Sequence, residues 1–247
     1  MSRNFAPGTS DRADDDITPP SVYSIGCWFK TDTSVADEEQ LIQVQDKDVA
    51  NHYFRLCVKT SATTPYLCTR ARSGGGASTS FGTTEIVANT WYHGGASWVS
   101  STERPIWLNG VNEATDTDAE TPANLDSVTI GAAGDSSPGD YFDGDIAEAA
   151  IWDVELVAAD WLALAAGASP LLVRPANLLR YWPMVGRNSP ETELIIASEL
   201  TLTNTTTAAH PRVHYPTRAL ITPAGAAAPP PTAVKDVIMG GIIPFER

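Results

Sequence analysis

Along this chain, short runs of alternating apolar and polar residues are separated by clusters of Gly, Pro, Asn and Asp. A period of two puts successive side chains on opposite faces of an extended backbone, so each run reads as a half-buried β-strand. The runs fall at residues 22–32, 52–60, 65–73, 89–99, 104–115, 127–133 and 145–153. Residues 52–60 and 65–73 are predicted to pair as a hairpin across Ser-Ala-Thr-Thr at 61–64. Within 104–115, Asn109-Gly110 sits between apolar residues and predicts a two-residue turn, because both residue types tolerate positive φ. Short strands at this regular spacing predict an all-β fold, a two-sheet antiparallel β-sandwich or jelly roll.

Two segments break the period. Residues 155–167 place Leu156, Trp161, Leu164 and Ala165 at helical spacing and end at Gly167, with Pro170 beyond, which predicts one short helix. Residues 177–184 return to a strand that ends at Pro183, a placement suited to a sheet edge. After Pro216 the character changes. Residues 223–233 are rich in Ala and Pro and predict an extended, semi-rigid spacer. Beyond it, Val237, Ile238, Met239, Ile242, Ile243 and Phe245 form an apolar terminus with no room for a core of its own. The expected organisation is a sandwich domain at 1–215 and an extended tail at 216–247, whose six apolar residues are a candidate docking arm.

The hairpin at 52–73 carries the most distinctive surface. Alternation sends Phe54, Leu56 and Val58 to the face shared by Leu67, Thr69 and Ala71. The other face then shows Tyr53, Arg55, Cys57 and Lys59 beside Tyr66, Cys68, Arg70 and Arg72. That is a basic, aromatic patch, and Tyr53, Arg55, Lys59, Tyr66, Arg70 and Arg72 are the candidate face for an acidic glycan or an acidic partner chain. The competing reading is a solvated face whose arginines pair with local carboxylates. Cys57 and Cys68 are expected opposite each other, where a disulfide is geometrically awkward but feasible.

The patch stands out because the rest of the chain is acidic. A net charge of −14 over 247 residues opposes a phosphate backbone and argues against nucleic-acid binding. No apolar run approaches the ~18 residues that span a bilayer. The first 16 residues have no apolar stretch of the kind a signal peptide needs, so synthesis in the cytoplasm without a leader is expected. Three cysteines, with no Cys-x-x-Cys spacing, do not form a disulfide framework or a zinc site.

Candidate chemistry is sparse. Asp143, Asp145 and Glu148 form a row that resembles the paired carboxylates of glycosidases. Strand pleating, however, separates Glu148 from Asp143 and Asp145 unless a bulge intervenes. Nucleophile-elbow, P-loop and Gly-x-Gly-x-x-Gly patterns do not occur. The Gly-rich 72–78 stretch lacks the Lys-Ser/Thr of a phosphate loop and is expected to be a flexible connection. His210 and His214 are four residues apart, but the prolines around them forbid the helix that would pair them on a metal. Among the seven tryptophans, Trp28, Trp91, Trp107 and Trp182 are expected in the core, with Trp98 or Trp152 as candidates for exposure.

Several ordered segments carry a resemblance. Residues 27–32 (CWFKTD), 91–99 (WYHGGASWV), 106–111 (IWLNGV), 142–156 (FDGDIAEAAIWDVEL) and 177–184 (NLLRYWPM) resemble the successive strands of laminin-G-like jelly rolls. Residues 3–16 resemble the first strand and turn, so the likeness spans roughly 2–215. The chain is thus similar to the concanavalin A-like lectin/glucanase superfamily, and to bacteriophage-encoded members in particular. In that family the 144–148 stretch is mainly a structural strand, and the glucanase carboxylates lie on a different strand. The resemblance implies a non-enzymatic virion surface protein, a decoration or fibre-associated subunit. It would dock through its terminal arm onto other virion or coat subunits and itself, as a homo-oligomer, and display a lectin-like sandwich to host-surface glycans. Alternatives are a free-standing carbohydrate-binding module and a glycoside hydrolase. Many superfamily members bind Ca2+ through loop carboxylates, which makes Asp116 and Asp118 the candidate metal ligands.

Overall fold

Most of these strands have an apolar face to bury, and two sheets packed face to face bury it. The computed structural model describes residues 2–33, 35, 37–134, 136, 138–185 and 190–215. In chain order the strands are β1 (Ser2–Phe5), β2 (Arg12–Asp16), β3 (Tyr23–Thr31), β4 (Glu38–Gln45), β5 (His52–Ser61), β6 (Thr64–Ser73), β7 (Ala77–Glu85) and β8 (Tyr92–Trp98). They continue as β9 (Arg104–Leu108), β10 (Val111–Asp116), β11 (Ser127–Ile130) and β12 (Gly144–Trp152). After the helix α1 (Ala158–Ala165) come β13 (Leu178–Trp182), β14 (Glu191–Thr192), β15 (Glu199–Thr203) and β16 (Thr206–Ala208).

Sheet I runs β10-β9-β8-β3-β12-β1-β16, and β13 also pairs with β12. Sheet II runs β14-β15-β2-β11-β4-β5-β6-β7, and all pairings in both sheets are antiparallel. The two inner faces enclose one apolar core that includes Phe5, Phe29, Phe54, Leu56, Ile106, Ile146 and Trp182. The predicted sandwich is what forms, with one α-helix among the described residues.

The β5–β6 hairpin has the register that alternation dictates. Arg55 faces Arg70, Leu56 faces Thr69, Cys57 faces Cys68 and Val58 faces Leu67. Cys57 and Cys68 are joined by a disulfide with their Cα atoms 5.2 Å apart. Asn109 and Gly110 both take positive φ, 49° and 82°, and turn β9 into β10 as expected.

A second apolar layer lies on the outside of sheet I. Trp161 of α1 packs there with Trp152, Leu156, Leu164, Leu178 and Tyr181. Its ring occupies the space over Gly95, where a Cβ would fall 2.1 Å from it. The helix is shorter than the 155–167 predicted. The Val157 N–H donates to the Asp160 side chain at 3.1 Å, which satisfies an otherwise orphaned donor at the first turn. Gly167 at φ 93° ends the helix.

Some sequence expectations require correction. Residues 72–78 are not a loose connection: they turn β6 into β7, with Gly74 at φ 87° and its N–H bonded to the Asn51 carbonyl at 2.8 Å. Trp152 is fully buried rather than exposed. Trp91 precedes β8, while Trp28 and Trp107 are only half-buried. Strands β4 and β7 are not legible in the pattern, because Glu-Glu-Gln in one and Ser/Thr in the other mask the apolar period.

Candidate binding face

Polar side chains on the outer face of sheet II form a bonded row that crosses its central strands. Arg12 Nε donates to Asp14 at 2.9 Å, and Thr129 Oγ1 donates to Asp14 at 2.8 Å. Gln45 Nε2 donates to Thr129 Oγ1 at 2.8 Å, and Gln43 Nε2 donates to Gln45 Oε1 at 2.6 Å. Arg55 Nη1 then donates to Gln43 Oε1 at 3.3 Å. Each buried member finds a partner, as burial of polar groups demands.

The loop at 131–143, described at residues 131–134, 136 and 138–143, lies against this row. The Phe142 N–H bonds the Gly131 carbonyl at 2.8 Å at its base, and Ala133 and Gly139 bond each other in both directions. It is tied to the sheet by the Gln40 N–H on the Asp140 carbonyl at 3.0 Å and the Gly134 N–H on Gln45 Oε1 at 3.3 Å. The loop forms a wall of two cavities. One, about 380 Å³, is lined by Asp14, Asp16, Gln45, Lys47, Thr129 and Pro138, among others. The other, about 200 Å³, is lined by Asn51, Tyr53, Arg55, Arg70, Arg72 and Asp140, together with Ala133 and Gly139.

Four of the six residues predicted for the basic face, Tyr53, Arg55, Arg70 and Arg72, therefore converge on one cavity. Lys59 and Tyr66 face each other further along the hairpin, outside it. The Arg55 guanidinium lies over the Tyr53 ring, 4.5 Å from its centroid, a cation–π arrangement. Beneath the patch, the buried Glu38 collects Arg55, Arg70 at 3.0 Å and Lys59 at 3.0 Å, and also accepts from Gln40. Burial alone would raise the Glu38 pKa, but Arg55, the Lys59 and Gln40 hydrogen bonds, and Arg70 outweigh it and hold the carboxyl below its usual range. The local pairing that competed with a binding face is thus present for Arg55, Lys59 and Arg70. Among the described residues Arg72 bonds only the Gly75 carbonyl, at 2.8 Å.

The carboxylate row of β12 is committed elsewhere. Asp143 accepts from Thr33 Oγ1 at 2.9 Å, and buried Asp145 pairs with Lys30 Nζ at 2.7 Å and accepts from Asn4 at 3.0 Å. A bulge does intervene between Ala147 and Ala150. Glu148 sits in it at φ 54°, where one edge of β12 passes from β1 to β13. Its buried carboxylate accepts from Tyr181 Oη at 2.5 Å and from Tyr215 Oη, and lies 2.9 Å from His210 Nε2. No spacing in the sequence marks this clasp: Tyr181 is brought in by the pairing of β13 with β12, and His210 and Tyr215 by the segment that follows β16. His210 and His214 do not share a site. His214 is fastened through its backbone to Gly167 and Ser169.

The donor sets for calcium also differ from expectation. Asp116 is buried against Arg104 Nη2 at 2.9 Å and accepts from Ser78, while Asp118 gives its N–H to Asp116 and its carbonyl to Arg104. A carboxylate already neutralised by a guanidinium is a poor calcium ligand. Among the described residues the acidic groups that do converge are Asp46, Asp48 and Asp126, with one oxygen from each within 4.8 Å of the others. Three such oxygens fall short of the six to eight that Ca2+ takes, and Asp46 Oδ1 already accepts the N–H groups of Asp48 and Val49.

A two-sheet sandwich with a polar, pocketed outer face defines a lectin-like domain. Residues 8–160 match the family model Laminin_G_3, described as the concanavalin A-like lectin/glucanases superfamily, and the chain belongs to that superfamily. No curated protein matches the sequence. Among solved structures it is similar to a candidate carbohydrate-binding protein from Bacteroides ovatus, with TM-score 0.60 and 18% identity over 83% of this chain. It spans only 58% of that chain. It is similar to the CBM40 of a Ruminococcus gnavus IT-sialidase bound to α2,3-sialyllactose, with TM-score 0.52 and 14% identity over 67% of this chain and 98% of the other. It is also similar to tailspike protein 2 of the Escherichia coli O157:H7 bacteriophage CAB120, with TM-score 0.56 and 12% identity over 73% of this chain and 26% of the other. At these identities the likeness is one of fold. Among the described residues no helix is long and apolar enough to cross a membrane.

Proposed function

We propose that this protein is a non-enzymatic glycan-binding sandwich displayed on a virion surface, docked there by its C-terminal residues. The observation that carries the binding part is the cavity on sheet II where Tyr53, Arg55, Arg70 and Arg72 meet beside the 131–143 loop. The half-exposed Arg70 and Arg72 offer fixed donors that suit the hydroxyl acceptors of a sugar, while the Tyr53 ring is buried and carries the Arg55 guanidinium. Fold neighbours that include a sialidase CBM40 and a phage tailspike support the reading by analogy. In this reading Asp145 and Glu148 hold the sandwich together and cut nothing. The virion part rests on the sequence of the tail. The docking residues Val237, Ile238, Met239, Ile242, Ile243 and Phe245 lie outside the described residues.

Two measurements test the two parts. On an oligosaccharide array, Arg70→Ala and Tyr53→Ala should each weaken retention of the bound glycan about tenfold or more. Retention unchanged in both variants would remove this cavity from the reading. By sedimentation, the full-length chain should assemble or pellet with particles, and a chain ending at Pro216 should run as a monomer. If both forms are monomers, the arm has no docking role and the free-standing carbohydrate-binding module takes its place.

A further inference from the structure

The basic cavity carries an anion of its own. Arg55 is almost fully buried; Nη2 pairs with Glu38, while Nη1 donates to Gln43 Oε1 at 3.3 Å and lies 3.4 Å from Asp140 Oδ2, near the outer limit of a hydrogen bond. Its Nε has no partner among the described residues, and neither has the buried Nε of Arg70. Arg72 commits only Nε, to a carbonyl. Among the described residues, then, three guanidiniums line a cavity served by two carboxylates, Glu38 and Asp140.

Those two carboxylates are not equivalent. Glu38 is 4% exposed and held by four donors. Asp140 is 47% exposed in its side chain and stands on the 131–143 loop rather than on a strand. Its backbone is held at φ 46°, a conformation that Asp and Asn tolerate better than most residues. Burial raises the Asp140 pKa; the Arg55 and Arg70 charges oppose the rise, and the neighbouring Glu38 and Asp37 carboxylates add to it. The charge of Asp140 is therefore poorly compensated where it sits.

We infer that Asp140 is a resident stand-in for the carboxylate of an acidic sugar, and that the cavity selects anionic glycans by exchanging Asp140 for the ligand carboxylate at Arg55 and Arg72. The inference rests on the glycan-binding reading and narrows its ligand class. A guanidinium binds a carboxylate through two parallel N–H donors, a geometry the long 3.4 Å contact to Asp140 does not achieve. Arg72, with its terminal nitrogens uncommitted among the described residues, supplies the second point of contact. A sugar carboxylate has the freedom to settle between the two, whereas Asp140 is limited by the loop that carries it.

Isothermal titration of the full-length chain with paired probes tests this: sialyllactose against lactose, and trigalacturonate against its carboxyl-reduced form. At least one acidic probe should bind, with its neutral counterpart about tenfold weaker or more. Asp140→Asn keeps a residue suited to positive φ and removes the charge. It should tighten the acidic probe about three- to tenfold and leave the neutral one unchanged. Arg72→Ala should weaken the acidic probe about tenfold. A gain in affinity is an outcome that structural damage does not produce. Neutral probes binding as well as acidic ones, or Asp140→Asn leaving the acidic probe unchanged or weaker, would overturn the inference while the glycan-binding reading stands. If no probe binds the parent chain or either variant, both fall.

Discussion

Replacing Trp161 by alanine should cost about 3–5 kcal/mol of stability, the largest single effect expected outside the main core. The indole is fully buried on the outside of sheet I, stacked near Trp107 and edge-on to Trp152. Its Nε1 donates to the Leu156 carbonyl at 3.0 Å, so the change also orphans a buried acceptor. The ring is admitted because β3 and β8 present Gly26 and Gly95 beneath it; a Cβ there would lie 3.0 Å and 2.1 Å away. Gly95→Ala alone should therefore destabilise the protein by a comparable amount, through overpacking. In the Trp161→Ala background the added methyl meets empty space, and the two costs should be far from additive. Urea denaturation of the two single variants and the double variant decides the matter. Additive costs would mean that the indole does not rest on Gly95.

The second large effect is one of pH, and it is hidden in the parent chain. His93 is buried on the outer face of sheet I against Trp28 and Trp161, and burial pushes its pKa down to about 3. The unfolded chain takes up a proton near pH 6.5 that the folded one refuses. His93 thus contributes stability above pH 6.5 that is lost as pH falls towards 3, about 2 kcal/mol of it by pH 5. Glu39 runs the other way. Burial pushes its pKa up to about 7, the Asp143 N–H opposing and the Asp143 charge adding to the rise. Its contribution is complete below the unfolded value of 4.5 and is lost as pH rises through about 7. The ceiling of that loss is about 3 kcal/mol, and screening at a partly exposed carboxyl brings it to about 2.

Between pH 5 and 8 these two slopes nearly cancel. His93→Leu should leave the Glu39 slope alone, giving a protein more stable at pH 5 than at pH 8 by about 2 kcal/mol. Glu39→Gln should do the reverse, gaining stability at pH 8 and weakening towards pH 5. Melting curves of both variants at three pH values read the slopes directly. A His93→Leu variant with the same pH profile as the parent would show that the imidazole titrates normally in the fold.

Much of the architecture can be read from period alone, and the β5–β6 hairpin shows why. Ten residue pairs match without a bulge, so each side chain goes to the face that counting assigns it. Counting along the chain is therefore enough to group Tyr53, Arg55, Arg70 and Arg72. Strands β4 and β7 escape the same counting for the opposite reason. Gln40, Gln43 and Gln45 are buried polar residues, and burial that rests on hydrogen bonding leaves no trace in a hydrophobicity pattern. Glu148 escapes it because a single bulge changes which side chains share a face, and nothing in the sequence marks a glutamate for positive φ.

Local rules are sufficient for an all-β sandwich with one helix, for the inward face of the β5–β6 hairpin, and for a basic aromatic patch on an acidic chain. Pleat, turn chemistry and helical spacing each act within a few residues, so a linear reading contains them. What the patch faces is a different matter, settled by the folded chain. Asp140 is 85 positions from Arg55 and 68 from Arg72, and Glu148 is 62 and 67 from His210 and Tyr215. Such pairings depend on where a loop or a returning strand is laid across a sheet. That placement is set by the sum of many weak contacts, and no short stretch of residues encodes it.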